Sequence, residues 1–339
     1  MDVTAAAYRS AAMRRTACLA LPVFLAACSK PAPPIVIEGS STLHPITAQA
    51  VAQYGKQYGG QAFSLRETST GAGLAKFCAG ELDIADASRH ITRDEAAACQ
   101  QVNVAFVEVP IAYDAISVVV HTANTWATSM TAAELKKLWE PAAQAKVTKW
   151  SQIRQGWPDR EIHLYGPDQQ SGTFDYFTEA IVGRAKASRT DFKADADDAK
   201  LAAAVEADEL GLAYFGYTYF HDRKDRLRGV AIDDQDDEVG PGPQEPSAIN
   251  VRRGVYSPLS RTLFLYVKNA ALDRVEVKKF VQFYIRLSPE LAERAGGVRL
   301  NGGESDLALA RVTNRTLGTM FMPGADPKWT LQDMLEARK

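Results

Sequence analysis

Short runs of β-branched residues alternate with helical patterns along most of this chain. Ile35-Val36-Ile37 is a strand pattern, and a four-residue apolar spacing follows it at Ile46, Ala50, Tyr54 and Tyr58. That spacing indicates an amphipathic helix. Further strand patterns lie at 116–121 and 263–267, and helical periodicity marks 131–139, 173–183, 197–207 and 275–286. This order predicts an α/β fold with buried, largely parallel sheets.

Length and charge narrow the classes of protein. The chain has 339 residues, which favours two lobes over one ordinary domain. Hydrophobic residues make up 46% and charged residues 24%, as in a globular protein. The formal net charge is −2, from 39 basic and 41 acidic residues. Because no positive excess exists to hold a polyanion, nucleic-acid binding is not predicted.

The first residues have the pattern of an export signal. Arg9, Arg14 and Arg15 precede an apolar run at 17–27, which is too short to span a hydrocarbon layer of ~30 Å. Leu25-Ala26-Ala27-Cys28 resembles the bacterial lipobox, whose cysteine carries the lipid. Ordinary cleavage beside a chance cysteine is the alternative. We predict a lipoprotein signal peptide at 1–27, lipidation of Cys28, a tether at 28–34, and no transmembrane segment in the mature protein.

Four cysteines are present, of which Cys18 lies in the signal and Cys28 is the lipidation candidate. Cys78 and Cys99 remain as an even pair, which favours a disulfide in an exported chain, with two free thiols as the alternative. The five histidines are scattered and no C-x-x-C occurs. We therefore predict no metal site and no cofactor.

Three loops share one composition, in which small hydroxyl residues and glycine come between a strand and a helix. They are Gly39-Ser40-Ser41-Thr42, Thr68-Ser69-Thr70-Gly71-Ala72-Gly73 and Gly166-Pro167-Asp168-Gln169-Gln170-Ser171-Gly172-Thr173. Unpaired backbone N–H groups and the positive dipole end at a helix N-terminus attract anions. Simple helix capping by serine and threonine is the alternative. Three such loops together favour an anion site.

Ordered motifs in residues 35 to 290 resemble the PstS-like family of phosphate-binding proteins, which serve phosphate ABC importers. The matching stretches are Ile37–Thr42, Phe77–Arg89, Val109–Asp114, Tyr165–Pro167, Ser171–Phe174 and Tyr256–Arg261. The resemblance implies a two-lobed α/β fold of the periplasmic-binding-protein (Venus-flytrap) type with two hinge crossings. Lobe one would comprise 35–113 and 258–339, and lobe two 114–257.

The resemblance also implies a set of phosphate-binding residues. Position by position these are Ser41, Thr42, Leu43, Ser69, Thr70, Arg89, Ser171, Gly172 and Thr173. Two positions depart from the family pattern, since Pro167 stands where an arginine is common and Arg89 stands where an aspartate is common. We expect Arg89 to supply the guanidinium that binds phosphate, with a surface ion pair as the alternative. Arg261 is a second candidate, and it is also suited to a role at the hinge.

The missing aspartate leaves discrimination between phosphate and sulfate open. Phosphate carries a proton at neutral pH that sulfate lacks, so a carboxylate in the site can accept from phosphate and repels sulfate. The candidates are Asp86, Asp114, Asp168 and Asp175. The sequence does not choose among them.

The function expected from the sequence is capture of inorganic phosphate for an ABC importer. The protein would act in the periplasm or on the outer face of the cell membrane, as a monomer held by the Cys28 lipid, with the permease subunits as partners. One rival is an exported phosphatase or serine hydrolase using Ser171 and His163, although no G-x-S-x-G elbow is present. The others are a binding protein for another oxyanion and a structural lipoprotein.

Overall fold

The computed structural model describes residues 1, 32–238, 240–321 and 329–338. The apolar run at 17–27, the lipidation candidate Cys28 and most of the expected tether lie outside these residues. The strands are β1 (Ile35–Ser40), β2 (Phe63–Thr68), β3 (Ile84–Ala87), β4 (Phe106–His121), β5 (Ser129–Thr131), β6 (His163–Pro167), β7 (Lys193–Asp195), β8 (Gly211–Gly216), β9 (Leu227–Gly229), β10 (Ala231–Asp233), β11 (Ser260–Lys268) and β12 (Val298–Arg299).

Helices fill most of the intervals between the strands. They are α1 (His44–Tyr58), α2 (Thr70–Cys78), α3 (Arg93–Gln101), α4 (Ala132–Trp139), α5 (Gly172–Phe177), α6 (Asp198–Glu206), α7 (Tyr217–His221), α8 (Ala248–Arg252), α9 (Val275–Arg294), α10 (Gly302–Asn314) and α11 (Leu331–Glu336). Each helical pattern in the sequence coincides with a helix, and α5 continues as a π-helical turn over Thr178–Val182. Among the residues that can be described, no helix is long and apolar enough to cross a membrane.

Strand β4 organises the sheet, which has the order β2-β1-β3-β11-β4-β8-β6-β7. Residues 106–115 of β4 pair with β11, and residues 116–120 pair with β8. We call β2, β1, β3 and β11 with the first part of β4 the first half-sheet. The second part of β4 with β8, β6 and β7 is the second half-sheet. One continuous strand therefore joins the two halves.

The sheet is mixed, so the expectation of largely parallel sheets is wrong for its centre. β1 runs parallel to β2 and β3, and β6 runs parallel to β7 and β8. β11 is antiparallel to both β3 and β4. β4 carries the chain out of the first half-sheet and β11 carries it back beside β4, so these two neighbouring strands run in opposite directions.

Local sequence signals account for several helix starts. Pro45 lies in the first turn of α1, where the fixed φ of proline suits a helix. Thr92 with Glu95 forms a capping box at α3, and Thr131 with Glu134 forms another at α4. Each box pairs two backbone N–H groups that the helix itself leaves unbonded.

Apolar burial holds α1 and α9 on the first half-sheet. Ile46, Ala50 and Tyr54 of the α1 stripe are buried, and the ring of Tyr54 packs edge-on against Phe280 of α9 with centroids 5.5 Å apart. Tyr58, the last residue of the stripe, is 59% exposed. Edge-to-face aromatic pairs stabilise a core by about 0.5–1.5 kcal/mol beyond their buried area. The predicted disulfide between Cys78 and Cys99 is confirmed, and it joins α2 to α3.

Candidate functional site

We call the three predicted anion-binding loops, at 39–42, 68–73 and 166–173, the first, second and third anion loops. A cleft of about 660 Å³ lies where the first two anion loops meet α5. Its lining is dominated by hydroxyl groups and charged side chains. The lining residues are Ser40, Ser41, Thr42, Ser69, Thr70, Gly71, Ser88, Arg89, Asp175, Tyr176, Glu179, Ala180, Ala185, Ser257, Pro258, Ser260 and Arg261. Hydroxyls supply neutral donors and arginine supplies a charged, planar one, so the cleft is equipped to bind an anion.

The close approach of β1 and β3 places the first two anion loops together. Gly39, the second-last residue of β1, has a φ of +150°, and a Cβ there would lie 2.1 Å from the carbonyl oxygen of Asp86 in β3. A Cβ on Gly73 of α2 would lie 2.6 Å from the Cα of Gly39. Only glycine lets these backbones come so close, and the first turn of α2 packs against the end of β1 as a result.

The hydroxyls of the three loops are used differently. Leu43 is the N-cap residue of α1 and makes no side-chain cap, so neither Ser41 nor Thr42 caps that helix. Ser69 caps α2 by accepting from the N–H of Ala72, and Ser171 caps α5 by accepting from the N–H of Thr173. Helix capping therefore accounts for Ser69 and Ser171. The hydroxyls of Ser41 and Thr42 in the first loop do not cap α1.

Five of the nine predicted phosphate-binding residues line the cleft: Ser41, Thr42, Ser69, Thr70 and Arg89. The side chain of Leu43 is buried in the apolar cluster beneath α1, and its N–H donates to the Ser40 carbonyl at 3.2 Å. Gly172 packs directly on the first loop, since a Cβ there would lie 3.4 Å from the Cα of Thr42. The first and third loops thus touch, while the cleft lining itself includes Asp175 and Tyr176 of α5 in place of Ser171 and Thr173.

Arg89 stands at the cleft with a carboxylate partner. It forms a two-point ion pair with Glu95 of α3, and its side chain is 42% exposed. Burial acts to raise the pKa of Glu95, but hydrogen bonds from Arg89 and from the N–H of Thr92 outweigh it and lower that pKa below its usual range. Arg89 therefore lies at the cleft and also forms the ion pair that was its alternative, and its binding of phosphate stays a prediction.

Arg261 is the second guanidinium of the cleft. It donates to the hydroxyl of Thr42 at 2.8 Å and to Asp114 at 3.2 Å, and it lies 3.5 Å from the ring centroid of Tyr176. Its side chain is 16% exposed, which makes it the less exposed of the two arginines. Burial raises the pKa of Asp114 while the neighbouring Arg261 acts to lower it.

The four candidate carboxylates have different settings. Asp86 is fully buried and accepts from the Thr47 hydroxyl at 2.7 Å, and burial raises its pKa to about 7. Asp114 is paired with Arg261, and Asp168 accepts from the N–H of Gln170 in an exposed turn. Asp175 alone of the four lines the cleft. Its Oδ2 is 3.7 Å from Lys186, its Oδ1 is buried without a hydrogen-bond partner, and burial raises its pKa.

Several cleft residues were not predicted as site residues. Ser257 and Ser260 flank the segment that returns the chain to β11, and both lie within the Tyr256–Arg261 motif that carried part of the family resemblance. Tyr176 and Glu179 follow the Ser171-Gly172-Thr173 motif by one to two helical turns. Their positions beside that motif, at the spacing of one helix face, are the signal in the sequence that indicates them.

The mixed sheet and the hydroxyl-lined cleft are those of a two-lobed α/β binding protein. Comparison with known families agrees, since residues 16–288 match the PBP superfamily domain. The chain belongs to this superfamily. The predicted fold class and the PstS-like resemblance are both confirmed.

Individual relatives are similar over most of their length. Protein SphX of Synechocystis is 42% identical over 288 residues, which cover 85% of this chain and 84% of that protein. The phosphate-binding protein PstS of Staphylococcus epidermidis is 32% identical over 264 residues, 77% of each chain. The crystal structure of a possible phosphate binding protein from Planctomyces limnophilus superposes with a TM-score of 0.79 at 38% identity, covering 83% of this chain and 98% of that one.

Proposed function

We propose that this protein captures inorganic phosphate outside the cytoplasm and delivers it to the transmembrane subunits of an ABC importer. The observation that carries the proposal is the cleft itself, where the hydroxyls of two helix-starting loops lie together with Arg89 and Arg261. The names of the PstS relative and of the Planctomyces structure support phosphate as the ligand. No bond is made or broken in this function.

Binding relies on two kinds of donor. Ser41, Thr42, Ser69 and Thr70 are neutral donors around the ion, and Arg89 is the charged one. The third loop, Ser171-Gly172-Thr173, contributes from the opposite wall, which the contact between Gly172 and Thr42 supports. Donors on both walls make the bound ion a bridge between them.

Closure of two lobes over the ion is the proposed mechanism of capture. Lobe one comprises 35–113 and 258–339, and lobe two comprises 114–257. The division of β4 between the two half-sheets near residue 115 supports the first crossing, and the return of the chain at β11 supports the second. An ion that binds residues of both lobes favours the closed arrangement by its difference in affinity for the two states.

The hydrolase alternative finds little support in the site. His163 is the first residue of β6, a strand that spans about 13 Å at ~3.3 Å per residue, and Ser171 lies four residues beyond its last residue, Pro167. The ring Nδ1 of His163 bonds to Asp208 at 2.7 Å, and the Ser171 hydroxyl accepts from the N–H of Thr173. A serine nucleophile needs a base within hydrogen-bond reach, and the bonds described for His163 and Ser171 go to Asp208 and Thr173 rather than to each other.

We further propose that the mature protein is a monomer in the periplasm or on the outer face of the cell membrane, held by a lipid on Cys28. The order of basic residues, apolar run and Leu25-Ala26-Ala27-Cys28 supports export and anchoring. The disulfide between Cys78 and Cys99 supports an oxidising compartment.

Phosphate analysis of the purified, untagged protein after denaturation tests the function. We expect close to one phosphate per chain, and after removal of that ion calorimetric titration should show rebinding of phosphate in preference to sulfate or molybdate. If sulfate or molybdate binds more tightly than phosphate, that anion and not phosphate would be the ligand. Turnover of a chromogenic phosphate ester would instead support the hydrolase.

A further inference from the structure

Arg261 contacts elements from both half-sheets. It projects from β11, bonds to Thr42 in the loop after β1, and stacks on Tyr176 in α5, which follows β6 of the second half-sheet. The Tyr176 hydroxyl in turn donates to the carbonyl of Pro258, in the segment that leads into β11, at 2.9 Å. One side chain thus joins the first anion loop to the helix on the opposite wall of the cleft.

The bond between Arg261 and Thr42 fixes the direction of the threonine hydroxyl. A guanidinium has only donors, so the Thr42 oxygen must accept from Arg261 Nη2. The hydroxyl hydrogen of Thr42 is then free to be donated elsewhere, and Thr42 lines the cleft. Arg261 therefore orients Thr42 as a donor to an anion in the cleft.

Charge at Arg261 is partly balanced by Asp114, which approaches Nε and Nη2 at 3.2 Å. The contacts to Asp114 and Thr42 use two of the three guanidinium nitrogens. Nη1 carries two further N–H donors, and the side chain lines the cleft. The guanidinium carbon lies 3.5 Å from the centroid of the Tyr176 ring, and this contact holds the group in place better than it would hold an ammonium group.

We propose that Arg261 is a second cationic contact of the bound oxyanion and the positioning residue that couples occupation of the first anion loop to closure of α5 against it. The inference rests on the proposed phosphate binding. Thr42 and Arg261 belong to the proposed lobe one and Tyr176 to lobe two, so opening of the cleft would separate Arg261 from Tyr176 while its bond to Thr42 is kept. An anion that accepts from Thr42 and Arg261 and also from the third loop of lobe two opposes that separation, and closure follows from binding.

The test compares Arg261→Lys with wild type in two measurements on the ligand-stripped full chain. Calorimetric titration gives the affinity for inorganic phosphate, and small-angle scattering gives the change in radius of gyration on adding saturating phosphate. We expect Arg261→Lys to bind phosphate at least tenfold more weakly and to show a smaller contraction than wild type even when saturated. Arg223→Lys is the matched control, since Arg223 pairs with Glu206 at 3.4 Å outside the cleft lining.

Two further variants separate coupling from general damage. Tyr176→Phe keeps the ring under Arg261 and should contract like wild type, whereas Tyr176→Leu removes the stack and should bind phosphate with a reduced contraction. If Arg261→Lys fails to fold, the comparison of Tyr176→Phe with Tyr176→Leu tests the coupling instead. The inference would be overturned if Arg261→Lys had the affinity and the contraction of wild type. Where Arg261→Lys does not fold, the same result in Tyr176→Leu would overturn it. In both cases the proposed phosphate binding would stand. Failure of the wild type to bind phosphate would overturn the proposed function and this inference with it.

Discussion

Arg89 and Glu95 face each other through two hydrogen bonds of 2.8 Å, one between Nη1 and Oε2 and one between Nη2 and Oε1. Glu95 is fixed by a further hydrogen bond, because its carboxylate also accepts from the N–H of Thr92 in the capping box of α3. An anion that binds Arg89 must share the guanidinium with this carboxylate. The affinity of the site for phosphate therefore depends on Glu95 as well as on Arg89.

The first prediction concerns the order of these contributions. Hydrogen bonds to charged groups contribute about 1.5–3 kcal/mol against roughly 0.5–1.5 for neutral ones. Arg89→Ala should therefore weaken phosphate binding more than Thr42→Val or Thr173→Val, on the order of tenfold to a hundredfold. Glu95→Gln, which keeps the capping geometry, should strengthen binding, and this gain should vanish in an Arg89→Ala background. Calorimetric titration of the four stripped single variants and of the double variant measures these affinities. Unchanged affinity in Arg89→Ala would mean that Arg89 forms a surface ion pair and does not bind the anion.

The second prediction concerns selectivity for phosphate over sulfate. Asp175 is the one candidate carboxylate that lines the cleft, and its Oδ1 has no hydrogen-bond partner. A carboxylate facing the ion accepts the proton of hydrogen phosphate and repels sulfate. Asp175→Asn should lower the ratio of phosphate to sulfate affinity by about tenfold or more in competition titrations, while Asp168→Asn in its exposed turn should not. An unaltered ratio in Asp175→Asn would assign the discrimination to another group.

The third prediction concerns the disulfide between Cys78 and Cys99. The bridge encloses β3 and the segment that carries Ser88 and Arg89, so it restrains part of the cleft wall. Closing a loop of 21 residues stabilises the folded state by about 3 kcal/mol in the chain-entropy account. Reduction should lower the free energy of unfolding by that order in denaturant titrations. Alkylation of the denatured, unreduced protein should modify neither cysteine, and a labelled Cys78 or Cys99 would refute the pairing in solution.

The fourth prediction concerns Cys28. With Leu25-Ala26-Ala27 before it, this cysteine is expected to carry the lipid, so Cys28→Ala should move the protein from the membrane fraction to the soluble one. Incorporation of labelled fatty acid into wild type, and not into the variant, is the accompanying measurement. A variant that fractionates like wild type would show that another feature holds the protein at the membrane.

The fifth prediction follows from the buried Asp86. Burial raises its folded-state pKa to about 7, whereas an unfolded aspartate has a pKa of about 3.9. Between these values the folded chain retains a proton that the unfolded chain has lost, so this contribution to stability is present below about pH 4 and is lost as the pH rises through 7. Relative to Asp86→Asn, which cannot titrate, wild type should become progressively less stable from pH 4 to 8. Chemical denaturation of both proteins without phosphate checks this, and a constant difference would mean that Asp86 does not titrate in that range.

Local and covalent features of this protein were determined by the sequence alone. The periodicity of apolar residues predicted α1, α4, α6 and α9, because burial of one helix face requires that spacing. The two cysteines outside the predicted export signal and lipidation position predicted the disulfide, and the composition of three loops predicted where helices begin beside a cleft. These patterns are visible in sequence because each depends on neighbours a few residues apart, or on a bond of known chemistry.

Only the tertiary structure decided which guanidinium lies against which partner. Arg261 is 147 residues from Asp114 and 219 from Thr42, and the register between β11 and β4 sets the first contact. Asp175 lines the cleft because α5 packs against the returning chain, where the Tyr176 hydroxyl donates to the Pro258 carbonyl, and a position near a helix start does not by itself reveal that packing. Contacts of this kind depend on how strands remote in sequence align and cross between half-sheets, and no local pattern encodes that alignment.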